Sequence, residues 1–420
     1  MSPLKERVED LALFGGPPAF PSQKHVGSPN IGDRRRLLQR MEDILDRRWL
    51  TNGGPYVQEF ETRVAGLLGV KHCVAMCNAT VGLEIAIRAL GMTGEVILPS
   101  FTFVATAHAL QWQRIRPVFC DVDPLTHLID PAKIEALITP ETTGILGVHL
   151  WGRPCDTQAI EAIARRRGLK VLYDAAHAFG CGRGARKVGG FGDAEAFSFH
   201  ATKFVNTFEG GAITTNDDDL AARLRLMKNF GFVGYDDVGY IGTNGKMTEI
   251  AAAMGLTSLE SLSQFVAVNR RNHRLYRESL AGLPGIRLLD FDDVADHNFQ
   301  YVVLEVDGGK AALHRDELAQ VLWSENIVAR RYFFPGCHRM EPYRSLDPGA
   351  AERLPATTEV AARVLSLPTN TGVDPHDIEV IGRVVRMALS QGERIRRRLA
   401  ETTPKTPIVV PHRKIEVDLA

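Results

Sequence analysis

The sequence predicts an α/β fold, with a large domain built on a mostly parallel sheet and a smaller α+β domain after it. Two patterns carry this. Between residues 72 and 216 short apolar runs alternate with amphipathic helical stretches, as expected when parallel strands are joined by crossover helices. Beyond residue 248 the alternation gives way to a long helical stretch and isolated candidate strands. A chain of 420 residues, 45% apolar and 24% charged, can bury a core of that size.

In chain order, residues 1–54 form a segment that packs on the core. It holds turn-rich pieces such as Leu13-Phe-Gly-Gly-Pro-Pro-Ala19 and one charged helix over 33–48. The large domain covers 55–247. Its strands are expected at 72–78, 95–100, 117–122, 144–150, 171–175, 194–199 and 211–216, and its helices at 80–90, 103–112, 131–138, 157–167 and 218–229. A Gly- and Tyr-rich loop follows over 230–245. Residues 248–390 make the linking helix and the small domain, with strands at 300–306 and 327–331 and a last helix at 376–390. Residues 391–420, opened by Arg394-Ile-Arg-Arg-Arg398, read as a basic arm that is mobile or crosses to a second subunit.

Fifty basic residues balance fifty acidic ones, so no global field recruits nucleic acid or a membrane surface, and any anionic ligand must be held by local groups. The six cysteines (Cys73, Cys77, Cys120, Cys155, Cys181, Cys337) are scattered, with no pair of CxxC elements for a metal. The chain starts without a basic-then-apolar leader, and no apolar run approaches the roughly 20 residues that span a bilayer. A cytoplasmic enzyme is expected.

The chemistry concentrates in Ser198-Phe-His-Ala-Thr-Lys203 and the following Gly210-Gly211 turn. An amine set between an apolar strand and a tight turn can lose its charge and attack an aldehyde, which an ordinary lysine with pKa near 10.4 does not do at neutral pH. Upstream, the apolar run Val171-Leu-Tyr-Asp174 ends on an acid at the carboxyl end of a strand, where α/β sheets bind ligands. A carboxylate there can keep a pyridine nitrogen protonated and make the ring an electron sink. Lys203 and Asp174 together therefore point to pyridoxal 5'-phosphate.

Further groups fit that cofactor. Asn78-Ala79-Thr80 lies where a strand turns into a helix, so its N–H groups suit a phosphate, although Thr80 as a plain N-cap is an equally simple role. Ser198 is a second phosphate candidate. Phe103 is placed to stack on the ring or to sit in the core, and His177 to touch the phenolic oxygen or Asp174. The run Ala329-Arg-Arg-Tyr-Phe-Phe-Pro-Gly-Cys-His338 offers an arginine to a diphosphate or carboxylate, or a solvated ion pair.

With these segments in hand, the chain resembles the DegT/DnrJ/EryC1/StrS family of nucleotide-sugar aminotransferases. The likeness runs from the Leu13–Ala19 stretch through Trp49-Leu-Thr-Asn-Gly-Gly-Pro55, Pro99-Ser-Phe-Thr-Phe103, Asp174-Ala-Ala-His177 and Gly189-Gly-Phe-Gly-Asp193. It continues through Gly242-Thr-Asn-Gly-Lys-Met-Thr-Glu249 to Leu365-Ser-Leu-Pro368. The resemblance implies the aspartate-aminotransferase fold of pyridoxal-phosphate enzymes (fold type I), with Lys203 binding the cofactor covalently and Asp174 facing the ring nitrogen. It implies phosphate contacts from Thr80 and Ser198, stacking by Phe103, and Asn244 reaching the phosphate in a neighbouring subunit, hence a homodimer with shared sites. It also places Thr51, Asn52, His200, Lys246, Tyr332 and His338 around the sugar nucleotide.

Family members often carry Gln where this chain has His177. Asp-Ala-Ala-His with Ser-Phe-His-Ala-Thr-Lys resembles the branch that moves an amino group from L-glutamate to C4 of a dTDP-4-keto-6-deoxyhexose. Competing readings are a 3-aminotransferase, a C3-dehydratase, which Lys203 argues against because that branch carries His there, and a non-catalytic regulator. Asn78-Ala-Thr-Val-Gly82 lacks G-x-G-x-x-G, so a nicotinamide cofactor is unsupported.

Overall fold

In the computed structural model the described residues are 5–291 and 296–402. Seven strands form the central sheet: β1 (His72–Met76), β2 (Glu95–Pro99), β3 (Arg116–Cys120), β4 (Thr142–Val148), β5 (Lys170–Asp174), β6 (Ala194–Ser198) and β7 (Gly211–Thr215). Their order is β1-β7-β6-β5-β4-β2-β3. Only β7 runs antiparallel to its neighbours, so the other six point their carboxyl ends to one edge. The inner strands are apolar almost end to end because helices cover both faces. On one face Val74, Leu98, Leu146 and Leu172 pack with the helix Ala79–Ala89, and on the other Ile97, Ile145 and Val171 pack with the helix Thr157–Arg167.

The seven strands expected in the large domain all form, each within two residues of its expected bounds. A helix over Pro55–Leu68, opened by Pro55 after Gly54, was not expected; it buries Val57, Phe60, Val64 and Leu68. The stretch at 131–138 is a single α-turn, Pro131–Ile134, followed by a 3-10 turn, and the long helix near Thr248 is two, Glu249–Glu260 and Leu262–Leu280, meeting at Ser261. The charged helix Arg34–Arg47 begins at Asp33, whose side chain accepts the Arg36 N–H.

The small domain carries a three-stranded antiparallel sheet, β8 (Ile286–Leu288), β9 (Val302–Val306) and β10 (Val364–Leu367), in that order. The strand expected at 327–331 is only Ile327–Val328, paired in parallel with Lys24–His25, so the N-terminal segment belongs partly to this domain. Glu325 is fully buried at that junction, where it accepts from the Ala12 and Ala19 N–H groups and pairs with Lys5. The final helix Pro375–Ser390 is followed by another, Gly392–Ala400, in place of the arm expected from residue 391; residues 403–420 of that arm lie outside the described residues.

Candidate active site

The carboxyl edge of the sheet opens on a cavity of about 610 Å³. Asp174 ends β5, Ser198 ends β6, and Gly211 starts β7 opposite both Met76 and Ser198. A Cβ on Gly211 would lie 2.6 Å from the Asn78 carbonyl carbon and the Ala79 nitrogen, so only glycine lets β7 pass this close to the turn that starts the helix Ala79–Ala89. The Asn78 side chain caps that helix by accepting the Val81 N–H at 2.8 Å. Thr80 is therefore not the cap, and the Ala79 and Thr80 N–H groups stay open to an anion at the cavity wall.

Lys203 sits in the loop between β6 and β7. The loop is closed by the Phe199 N–H on the Gly210 carbonyl and the Thr207 N–H on the Phe199 carbonyl, and is braced from outside by Asn30, whose Nδ2 donates to the Phe204 carbonyl. Asn206 returns a bond to the Asn30 carbonyl, so the N-terminal segment locks the loop. The Lys203 Nζ donates to the Tyr301 hydroxyl at 3.3 Å. Burial lowers its pKa to about 8, against the opposing pull of Asp174. A good fraction of the amine is thus neutral at physiological pH, as a nucleophile for an aldehyde requires.

Asp174 is 7% exposed. Its Oδ2 accepts the Thr106 hydroxyl at 2.8 Å and its Oδ1 the Ala176 N–H at 3.0 Å. Burial raises its carboxyl above the ordinary aspartate range, while the Ala176 N–H, the Thr106 hydroxyl, Lys203 and His149 pull the other way. A carboxylate held at such expense is relieved by a cation brought beside it, and a protonated pyridine nitrogen is one.

His177 is buried and its Nδ1 has no hydrogen-bond partner. The ring packs on Tyr301 at 4.3 Å between centroids and on Trp151 and Phe333 at 5.7 and 5.9 Å. Burial, then the Lys203 charge, hold its pKa well below the usual value. It is a neutral imidazole whose ring lines the cavity while its Nδ1 stays buried and unpartnered. The open cradle at Gly211, the orphaned His177 nitrogen and the strained Asp174 carboxylate all fit pyridoxal phosphate.

The pattern of the DegT/DnrJ/EryC1/StrS aminotransferase family matches residues 32–386. The chain belongs to this family. It is 40% identical over 361 residues to a dTDP-4-amino-4,6-dideoxy-D-glucose transaminase of Shigella dysenteriae, covering 86% of this chain and 98% of that one. It is 37% identical over 364 residues to a GDP-perosamine synthase of Caulobacter vibrioides, covering 84% and 95%. The solved structure of DesI in the presence of its TDP-sugar product superposes with a TM-score of 0.88 at 50% identity, covering 93% of this chain and 99% of that one.

Within this aminotransferase fold the cavity brings together Ala79, Thr80, Phe103, Asp174, His177, Ser198, His200, Lys203 and Tyr332. Phe103 is 58% exposed there, tilted against Phe333. Five expected residues lie off the cavity wall. Thr51 and Asn52 are in the turn before Pro55, with Asn52 at φ 64°, and Asn244 is exposed and bridged to Asn229. Lys246 bonds the Asn229 Oδ1 at 2.9 Å and stands over Phe230. His338 is 2% exposed, its Nδ1 2.8 Å from the Ser100 Oγ and its Nε2 3.3 Å from Thr358. Burial lowers its pKa to about 4, so it is a neutral clamp between the end of β2 and the turn at Cys337.

Sequence reasoning missed Tyr301, Thr106 and the N-terminal pair Val26 and Gly27, all at or behind the wall. Thr106 is one helical turn past Phe103, a spacing that could have flagged it. Gly27 is needed for contact, since a Cβ there would sit 2.9 Å from Thr202.

Proposed function

We propose that the chain is a pyridoxal-phosphate aminotransferase that moves the amino group of L-glutamate to C4 of dTDP-4-keto-6-deoxy-D-glucose, acting in the cytoplasm as a homodimer. The observation that carries it is the Lys203 amine and the Asp174 carboxylate lining one cavity together with the His177 ring. The transaminase relatives and DesI support the substrate class.

The residues divide the work. Lys203 would hold the cofactor aldehyde; Asp174, positioned by Thr106, would keep the ring nitrogen protonated; the His177 ring would stand beside the phenolic oxygen; and the Asn78–Thr80 turn with Ser198 would hold the phosphate. When bound, the cofactor supplies an electron sink for the carbon that loses its proton. The neutral Lys203 Nζ takes the proton from the donor's α-carbon, and in the second half-reaction a protonated Nζ delivers one to the sugar carbon that receives nitrogen. Trp151 and Phe333, both buried, keep water from this side of the cavity.

Dimerisation is supported by what lies outside the cavity. Trp49, Leu50, Phe208, Phe230, Phe232 and Ile241 are between 40% and 75% exposed, large apolar groups that a second subunit would cover. Thr51, Asn52, Asn244 and Lys246 lie in the same segments, and in a dimer they would complete the partner's site. Sedimentation should show a dimer.

The deciding experiment incubates the holoenzyme with glutamate and, separately, 3-keto and 4-keto dTDP-6-deoxyhexoses and a GDP-4-keto-6-deoxyhexose, then locates the new C–N bond by NMR. Amination at C4 of the dTDP sugar is expected. Amination at C3 alone overturns the reading, and exclusive use of the GDP sugar reassigns the nucleotide, in line with the Caulobacter relative.

A further inference from the structure

Three arginines crowd the segment after Ile327–Val328, and they are not equivalent. Arg315 and Arg331 share the Asp316 carboxylate, at 2.7 and 2.9 Å, and both stand over the Phe334 ring. Arg330 pairs with no carboxylate among the described residues. Its guanidinium lies over the Tyr332 ring, 5.3 Å from the centroid, and its backbone exchanges two hydrogen bonds with Ser366 of β10, at 3.0 and 2.8 Å. The residue is half-buried on a fixed strand-like segment, its guanidinium bonded to Tyr332 and without a carboxylate partner among the described residues.

Its location gives that charge a use. Arg330 lines both the main cavity and an adjoining pocket of about 280 Å³, the two sharing Thr102, Phe103, Tyr332 and Phe333 in their walls. Lys203 is the other Lys or Arg lining the main cavity, and it is committed to the cofactor, while Arg331 of the adjoining pocket is paired with Asp316. Glu209, also on the wall, is 3.3 Å from His200. The chain as a whole has no net charge to attract an anion. Both substrates of the proposed transamination are anions, one through carboxylates and the other through a diphosphate, and a planar guanidinium meets either group with paired hydrogen bonds.

We infer that Arg330 is the oxyanion-binding residue of the cavity, engaging a carboxylate of the amino donor or the diphosphate of the nucleotide sugar. This rests on the transaminase reading. A chain of two rings connects the guanidinium to the reacting amine: the Lys203 Nζ touches the Tyr301 hydroxyl, the Tyr301 and Tyr332 ring centroids are 6.2 Å apart, and Arg330 lies over Tyr332. That spacing suits a group that anchors the substrate away from the bond being changed.

The test compares Arg330→Gln and Arg330→Lys with the parent holoenzyme. Each half-reaction is followed separately by the visible absorbance of the bound cofactor, and dTDP and 2-oxoglutarate are titrated calorimetrically. In Arg330→Gln, affinity for one class of anion should fall about 10- to 100-fold, the effect of losing a charge-assisted pair. Arg330→Lys should lie between. A loss confined to glutamate and 2-oxoglutarate assigns the donor carboxylate, a loss confined to dTDP and the keto sugar assigns the diphosphate, and a loss of both makes the site common to the two half-reactions. Unchanged affinities in both variants, or weakened cofactor retention as the sole effect, would overturn the inference. If the parent enzyme transaminates neither substrate, the functional reading has failed, and the two titrations still decide on Arg330.

Discussion

The Lys203 amine and the Tyr301 hydroxyl are 3.3 Å apart, which ties the large-domain loop to the residue that leads into β9 of the small domain. Burial keeps the Tyr301 phenol well above its ordinary pKa, so it stays neutral. It also receives the Gln300 Nε2 at 3.2 Å and packs on His177. The hydroxyl therefore fixes where the amine points, while the ring supports the imidazole.

Tyr301→Phe keeps the ring and removes that acceptor. One hydrogen bond to a charged or reacting group is worth about 1.5 kcal/mol, so both half-reactions should slow roughly tenfold. KM should move less than about twofold, because the hydroxyl orients the proton carrier and not the substrate. Single-turnover measurements of the cofactor absorbance separate the two. Parent-like rates would reduce Tyr301 to packing.

Asp174→Asn preserves shape and removes the charge that balances a protonated ring nitrogen. A fall in turnover of about 10³-fold or more is expected, of the order found when a group aimed at developing charge is lost. Thr106→Val removes only the hydroxyl on Oδ2 and should cost about tenfold, with the cofactor still bound. Equal losses in the two variants would show that the carboxylate's position, and not its charge, is what matters.

The Lys203 pKa of about 8 sets a pH dependence for cofactor capture by the apoprotein. A lowered pKa means that the reactive neutral amine accumulates as pH rises and saturates just above 8, whereas an ordinary lysine would still be gaining above pH 10. The bimolecular rate of colour formation with pyridoxal phosphate should climb about tenfold from pH 6 to 7 and level off by about pH 9. Since the unfolded chain binds the proton more tightly, the same amine makes the apoprotein more stable as pH rises from about 8 towards 10. A capture rate still rising at pH 10 would show that burial does not discharge the amine.

Much of this site is legible in the sequence because its parts are strand ends. Asp174, Ser198 and the Asn78 turn each follow an apolar run, and a run that stops marks the sheet edge where ligands bind. Tyr301 could not be read the same way: it lies 98 residues from Lys203, and no local pattern records which small-domain residue meets the loop. His338 is placed near the sugar nucleotide by the family resemblance alone. The structure binds it to Ser100, 238 residues away in sequence, and to Thr358. Pro55–Leu68 escaped notice because its neighbours Gly53, Gly54 and Pro55 read as loop, although Pro at the first position of a helix is a start signal.

Gly211 offers the sharpest test of the phosphate cradle. Its φ is not left-handed, so alanine is allowed by the backbone itself; what forbids it is the 2.6 Å approach of a new Cβ to the Asn78 carbonyl carbon and the Ala79 nitrogen. Those are main-chain atoms flanked by β1 and a buried helix, and they cannot swing aside as a side-chain tip would. Gly211→Ala must therefore displace the Asn78–Ala79 turn, moving the open N–H groups of Ala79 and Thr80 away from the phosphate position. Cofactor affinity should fall at least about tenfold, from the loss of about 1.5 kcal/mol or more of charge-assisted hydrogen bonding, while circular dichroism shows the fold intact. The affinity for pyridoxal without its phosphate should change far less, since that ligand never used the cradle. If both cofactor forms weaken equally, the glycine serves the sheet and not the phosphate.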